Sequence, residues 1–362
     1  MAGYLQLIKS GYLDIINAII RPPRCIYSLS ELGPETFEFR DKTFTRSDFN
    51  LLNERGMRIA CSFWEPVVED RSSEKLPCII YLHGNSSARV ESLMQLSLVL
   101  SLGATFLSFD FAGSGLSDGS YVSLGKFEVG DLKCVINYLR QVGTTSTIAL
   151  WGRSMGAVTA LLYLAELEDA NEHVIIGTTT KKAEVDSSKT DKSGEDKLPD
   201  LNLDKEGTIS GMILDSPFSD LAILAEEIIE NGRKNGLYAP GFMVKMATAS
   251  IQKEILKVAG FDIKDIRPIS SAHRLKTPAM FVAAAGDDFI STSHSQVLSD
   301  QYGGDRKFIV ISGDHNSIRS SILYAEAFQF LAITLNIPDE WISLNSLCVY
   351  DAAPWSNLAR SR

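Results

Sequence analysis

A serine between two glycines carries the clearest chemical signal in this sequence. The segment 148–157 reads I-A-L-W-G-R-S-M-G-A, an apolar run that leads into G-R-S-M-G and then into a helical pattern. Glycines at 152 and 156 suit a sharp strand-to-helix turn, because side chains there would collide with neighbouring backbone. Such a turn exposes the hydroxyl of Ser154 and leaves the backbone N–H of Met155 at the helix start, where it can donate to an oxyanion. We therefore predict that Ser154 is a nucleophile.

An acid and a histidine follow the serine along the chain, each just after a predicted strand. Asp287 follows a predicted strand over 279–284, and His315 follows one over 307–311. Parallel strands collect functional residues at their carboxyl ends, so the three side chains should meet at one edge of a sheet. For acyl transfer, Ser154 would attack a carbonyl, His315 would carry its proton, and Asp287 would orient the imidazole.

A second oxyanion donor is expected in the loop H-G-N-S at 83–86, which follows the continuous apolar run at 78–82. We predict that the backbone N–H groups of Asn85 and Met155 bind the oxyanion together. Losing one such donor typically costs about 3 to 4 kcal/mol of transition-state stabilisation.

Several alternatives stay open at this stage. Asp288 lies one residue from Asp287, and Asp215 at the end of an earlier predicted strand could supply the acid instead. Among the histidines, His294 is the rival to His315, although a capping or supporting role suits it better. The other three histidines lie in the H-G loop, a polar insert and a connector: His83, His173 and His273.

Strands and helices alternate along most of the chain. The periodicity predicts a β-hairpin over 44–52 and 57–64, strands over 78–82, 104–109, 147–151, 211–215, 279–284 and 307–311, and helices over 89–101, 126–140 and 320–335. This alternation predicts an α/β fold with a mostly parallel central sheet flanked by helices. Helical stretches within 219–271 predict a small cap.

The chain divides into a leading segment at 1–24, a main domain at 25–337 and a tail at 338–362. Within the main domain, the polar segment 168–207 contains no aromatic residue and is expected to be disordered. Apolar residues at helical spacing in 4–20 predict an amphipathic helix, which either packs on the domain or makes weak peripheral contact with a membrane surface.

Composition narrows the class of protein. The 362 residues carry a net charge of −10, without a basic stripe, which argues against nucleic-acid binding. Five cysteines without C-x-x-C spacing favour reduced thiols over a disulfide framework or a zinc site. No segment is long and apolar enough to span a bilayer, and the first residues lack the pattern of a signal peptide, so a cytoplasmic location is expected. Nothing in the sequence calls for a metal or an organic cofactor.

Six motifs together give the chain a family likeness. They are H-G-N at 83–85, D-F-A-G-S-G-L-S at 110–117, G-R-S-M-G at 152–156, D-S-P-F at 215–218, D-D-F-I at 287–290 and G-D-H-N-S at 313–317. Over about 21–335 the chain resembles α/β-hydrolases of the serine aminopeptidase-like group. It is similar to a lineage of little-characterised plant and protist hydrolases and, more loosely, to α/β-hydrolase-domain depalmitoylases. The resemblance implies an α/β-hydrolase fold with a triad of Ser154, Asp287 and His315.

The predicted function is a serine hydrolase that cleaves a carboxylic ester or acyl thioester of a small-molecule or lipid-like substrate. Two alternatives are a peptidase of the aminopeptidase type, with a cap carboxylate holding the substrate amine, and a binding protein that keeps the fold without turnover. The cap offers Glu226, Glu227 and Glu230 for the amine, without an informative spacing. The sequence does not indicate an oligomeric state.

Overall fold

The structure is a computed structural model. It describes residues 16–17, 19–183, 208–234, 241–342 and 353–355, with side chains described outside 171–183, 231–234 and 241–248.

Across the described residues, one nine-stranded sheet runs through the molecule in the order β1-β2-β3-β5-β4-β6-β7-β8-β9. The strands are β1 Thr36–Phe39, β2 Lys42–Leu52, β3 Arg58–Pro66, β4 Leu76–Leu82, β5 Thr105–Phe109, β6 Thr145–Arg153, β7 Thr208–Asp215, β8 Ala279–Ala284 and β9 Arg306–Ile311. Pairing is antiparallel from β1 through β3 to β5, and parallel from β5 through β4, β6, β7 and β8 to β9. The parallel part places six strand ends along one edge.

Helices connect and cover the parallel strands. They are α1 Leu93–Ser101, α2 Glu128–Val142, α3 Met155–Ala183, α4 Leu221–Lys234, α5 Gly241–Ala259, α6 Thr292–Gln301 and α7 Ser321–Thr334. Two apolar cores lie on opposite faces of the sheet: one contains buried side chains of α2 and α3, the other those of α1 and α7. Strand β4 is buried at all seven positions, which explains its continuous apolar sequence.

The predicted fold class is confirmed. Every predicted strand and the hairpin are present, with ends shifted by up to three residues. Strand β1 was not predicted, because it has four residues and its T-F-E-F alternation is too short to stand out from a loop. The first turn of the helix predicted over 89–101 is a separate 3-10 helix, Arg89–Ser92.

The polar segment predicted to be disordered begins inside a helix. Helix α3 continues to Ala183, so the first 16 residues of the segment predicted from Glu168 are helical. Alanine, leucine and glutamate around the start of that segment have high helix propensity, so the helix continues beyond the point where its apolar pattern ends. Residues 184–207 lie outside the described residues, and their disorder stays a prediction.

The cap helices α4 and α5 pack over a third apolar cluster, which the leading segment joins. Ile16 is 2% exposed and Ile20 is fully buried in that cluster, beside Leu221 and Ile255. The helix predicted over 4–20 lies mostly outside the described residues, so membrane contact through it stays a prediction. No helix in the part of the chain described is long and apolar enough to cross a membrane.

The described parts of the tail pack on the main domain. Trp341 and Trp355 contact the core on the α1 and α7 side of the sheet. The ring of Trp355 meets the ring of Phe37 edge-on, with a centroid distance of 5.2 Å. Trp355 therefore packs on strand β1 at the edge of the sheet.

Candidate active site

Ser154 lies at the junction of β6 and α3 in a strained backbone conformation. Its φ of 50° falls in the left-handed region that residues other than glycine rarely adopt. The flanking structure holds this conformation: the backbone N–H of Ser154 donates to the carbonyl of Asp215 at 2.7 Å, and its carbonyl accepts from the N–H of Val158 at 3.1 Å. Strain of this kind persists only where the surroundings enforce it, and it concentrates at functional sites.

The sharp strand-to-helix turn at 152–156, called the elbow below, contains two glycines that close backbone contacts require. A Cβ added to Gly156 would lie 2.0 Å from the carbonyl oxygen of Leu82, and one added to Gly152 would lie 2.5 Å from the backbone nitrogen of Ala157. Helix α3 therefore starts directly against the end of β4. Steric contact with the backbone therefore explains why positions 152 and 156 are glycine, as the sequence predicts.

Asp287 and His315 form a hydrogen-bonded pair. The Nδ1 of His315 donates to Oδ2 of Asp287 at 2.7 Å, and the two side chains are 10% exposed for His315 and 1% for Asp287. Burial raises the pKa of the Asp287 carboxyl, but the hydrogen bond from His315 and backbone N–H groups of Ile290 and Phe289 outweigh it, so the pKa lies below its ordinary value. An ionised carboxylate accepts only, so Nδ1 of His315 is the donor in this bond, and in the neutral ring Nε2 is the acceptor.

The same hydrogen bonds separate Asp287 from its neighbour. Oδ1 of Asp287 accepts from the backbone N–H groups of Phe289 at 3.0 Å and Ile290 at 2.7 Å, while Oδ2 faces His315. Asp288 instead lines an open cavity beside Ser154. Of the two aspartates, Asp287 is therefore the one placed to orient the histidine.

The other two rivals have structural partners of their own. Asp215 receives the guanidinium of Arg319 at 2.7 Å. His294 is buried, accepts from Ser219 at Nδ1, and pairs through Nε2 with Glu227 at 3.0 Å, so it joins α6 to the cap helix α4. Neither residue lines the cavity beside Ser154.

One open cavity of about 650 Å³ is lined by three of the five predicted site residues. It is lined by Ser154, by His315, and by residues 84–87 of the loop that follows β4, which include Asn85. Met155 is the first residue of α3 and is fully buried. Among the side chains that the structure describes, no group of three or more His, Cys, Asp or Glu is placed to hold a metal ion.

A polar network that the sequence does not predict ties the cavity walls together. Glu91 accepts from the hydroxyl of Tyr81 at 2.7 Å, pairs with Arg153 at 3.2 Å, and receives the N–H of Gly84 at 3.4 Å. Burial raises the pKa of the Glu91 carboxyl, but Arg153 and its hydrogen bonds bring the pKa below its ordinary value. Arg153 also donates to the carbonyl of His315 at 2.8 Å. The sequence points to only one member of this network, Arg153, because it directly precedes Ser154.

Sequence comparison gives two matches. A family model described as serine aminopeptidase, S33, matches residues 78–191. The uncharacterized protein YqkD of Bacillus subtilis (strain 168) is 25% identical over 240 residues, a match that spans 66% of this chain and 64% of YqkD. The chain thus aligns with less than two thirds of the length of this curated relative.

Structure comparison decides the fold. The esterase Pf2001 of Pyrococcus furiosus superposes with a TM-score of 0.56 at 17% identity, covering 86% of this chain and 98% of the esterase. The chain has the α/β-hydrolase fold. A puromycin-hydrolyzing peptidase of Mycobacterium tuberculosis is similar with a TM-score of 0.53 at 15% identity, covering 81% of this chain and 40% of the peptidase. Since an esterase and a peptidase both match, the α/β-hydrolase fold alone does not choose between the two activities.

The elbow contact predicts opposite effects for one substitution at two glycines. Gly156→Ala should lower the free energy of unfolding by at least about 1 to 3 kcal/mol, because the new methyl group overlaps the Leu82 carbonyl. Gly130→Ala in α2, where a Cβ meets no atom within 4 Å, should raise it by up to about 1 kcal/mol through helix propensity. Urea unfolding followed by circular dichroism measures both. Equal effects of the two substitutions would contradict the steric argument.

The Asp287–His315 pair predicts a pH-dependent contribution to stability. Because the pKa of Asp287 is lowered on folding, its contribution is present above the ordinary aspartate pKa of about 3.9 and is lost as the pH falls through the lower, folded value. Asp287→Asn should therefore lower the free energy of unfolding by about 1.5 to 3 kcal/mol near neutral pH, and by progressively less below pH about 4. Unfolding curves between pH 3 and 7 test this. The neighbouring substitution Asp288→Asn serves as control. A loss of unfolding free energy in Asp287→Asn that is as large at pH 3 as at pH 7 would contradict the pairing.

Proposed function

We propose that the protein is a serine hydrolase that cleaves a carboxylic ester or an acyl thioester through an acyl-enzyme on Ser154. The observation that carries this proposal is the buried Asp287–His315 pair, whose histidine lines the same cavity as a serine held on a strained elbow. A nucleophile, a base and a group that orients the base are the parts that covalent acyl transfer requires.

In the first half-reaction, Nε2 of His315 takes the proton of the Ser154 hydroxyl as its oxygen attacks the substrate carbonyl. The positive imidazolium that forms is stabilised by the ionised carboxylate of Asp287, which also holds the ring in the correct tautomer. The negative oxygen of the tetrahedral intermediate is bound by the backbone N–H groups of Met155 and Asn85. The N-terminus of α3 adds its partial positive charge to this site.

The first half-reaction ends when the imidazolium gives its proton to the departing alcohol or thiol and the acyl group stays on Ser154; the second half-reaction starts from this acyl-enzyme. Water then enters, loses a proton to His315, and attacks the acyl-enzyme by the same route in reverse. The free serine and a carboxylic acid result. The open cavity leaves room for the water that this step consumes.

One of the three cap carboxylates bears on the choice between an ester or thioester substrate and a peptide. An aminopeptidase holds the free amine of its substrate with acidic groups, and Glu227 is a candidate for that role from the sequence. Glu227 instead accepts a hydrogen bond from Nε2 of the buried His294, outside the cavity that contains Ser154. The amine-binding role therefore has no support from this residue.

A panel of substrates tests the proposed activity. We expect hydrolysis of p-nitrophenyl esters, from acetate to palmitate, or of an S-acyl substrate, with kcat lowered at least about 10⁴-fold in Ser154→Ala because the nucleophile is gone. A fluorophosphonate probe should label the wild-type protein and not Ser154→Ala. Ser86→Ala is the matched control, because Ser86 lines the same cavity and should leave labelling intact.

The other outcomes point to the two remaining functions. Cleavage of aminoacyl arylamides without cleavage of esters would replace the proposal by a peptidase. A folded wild-type protein that neither turns over any of these substrates nor reacts with the probe would indicate a binding protein. Within the proposal, a preference for short or long acyl chains assigns a small-molecule or a lipid-like substrate.

A further inference from the structure

Arg319 lies behind the loop that carries His315. It follows the histidine by four residues and is only 7% exposed. Its guanidinium donates to three carbonyls of this loop: Nη1 to Asp314 at 2.9 Å and Ser317 at 3.4 Å, and Nη2 to His315 at 3.2 Å. The guanidinium thus holds the loop backbone on both sides of the histidine.

The opposite side of the guanidinium is fixed by Asp215 at the end of β7. Nε donates to Oδ2 of Asp215 at 2.7 Å and Nη2 to Oδ1 at 3.0 Å, so the pair is bidentate. Asp215 is 2% exposed. A buried bidentate pair has one geometry, because the planar fork of arginine matches the carboxylate and water does not compete.

Asp215 is also the residue whose carbonyl accepts the backbone N–H of Ser154, at 2.7 Å. Its backbone therefore holds the elbow, while its side chain holds Arg319 and, through it, the histidine loop. The two halves of the candidate active site come from segments far apart in sequence, and this residue contacts both. The carbonyl of His315 has a second donor, Arg153, at 2.8 Å.

Arg319 is placed to act on other residues rather than on a substrate. It does not line the cavity that contains Ser154 and His315. Its charge is matched by Asp215, and all three of its nitrogens donate to groups of the protein. An effect of Arg319 on turnover would therefore pass through the position of the histidine loop.

We propose that Arg319 is a positioning residue, which sets the place of His315 relative to Ser154 through Asp215. This inference rests on the proposed function, because it assigns Arg319 a part in the same reaction. Misplacing a catalytic group by about 1 Å can reduce turnover about 100-fold without changing how the substrate binds.

Kinetics of two variants test the proposal. Arg319→Gln removes the charge and the fork, whereas Arg319→Lys keeps the charge and loses the fork. With p-nitrophenyl acetate, and with active sites counted by fluorophosphonate titration, we expect kcat to fall about 10- to 100-fold in Arg319→Gln and by a smaller factor in Arg319→Lys. KM should stay within about twofold, because Arg319 does not line the cavity.

Arg267→Lys is the matched control. Arg267, whose side chain is 53% exposed, pairs with the buried carboxylate of Asp220 at 2.6 Å, so this variant changes an arginine–aspartate pair that lies outside the cavity. Its kcat should equal that of the wild type. If Arg319→Gln does not fold, Arg319→Lys carries the test. In either Arg319 variant, a kcat within about twofold of wild type, or a change confined to KM, overturns the proposal.

A second measurement does not depend on turnover. In the Ser154→Ala background, hydrogen–deuterium exchange of the peptide covering 312–320 should be faster with Arg319→Gln than without it, while exchange in β4 stays unchanged. Equal exchange in the 312–320 peptide overturns the proposal. If the wild type shows no turnover that depends on Ser154, the proposed function fails, and the exchange comparison still decides whether Arg319 holds the loop.

Discussion

The buried ion pair between Asp215 and Arg319 is the interaction on which the geometry of the site depends. Strand β7 ends at Asp215, and the elbow and the histidine loop both take a hydrogen-bond partner from this point. Breaking such a pair leaves a charge without a partner in a dry environment, which typically costs about 3 to 5 kcal/mol. Two charges are desolvated in this arrangement, and a single geometry results.

The residues proposed to react stand out in the sequence because each follows a strand with a continuous apolar run. Ser154 needs its glycines for a local steric reason, and His315 is the histidine that closely follows a predicted strand downstream of the serine. The acid is harder to assign from the sequence, because Asp287 and Asp288 are adjacent. The hydrogen bonds from Phe289 and Ile290 hold Asp287 against His315, and they depend on a turn that composition and spacing do not define.

The supporting residues could not be predicted in this way. Arg319 and Asp215 are separated by 104 residues, and no local pattern relates them. Glu91 and Arg153 lie near the predicted motifs, but their pairing depends on how the loop after β4 faces the elbow. The net charge of −10 gives no sign of the two arginines, Arg153 and Arg319, that lie beside the site. Overall charge describes the surface, whereas these arginines are set by local carboxylates.

The positive φ of Ser154 has a consequence for how this protein can change over time. The left-handed conformation costs a serine about 1 to 3 kcal/mol and costs glycine far less. A glycine at 154 would therefore make the fold more stable while removing the hydroxyl. Random substitution that is selected for stability alone would drift toward an inert protein at this position. The serine at 154 is thus kept at a cost in folding stability, for which the role proposed for its hydroxyl would account.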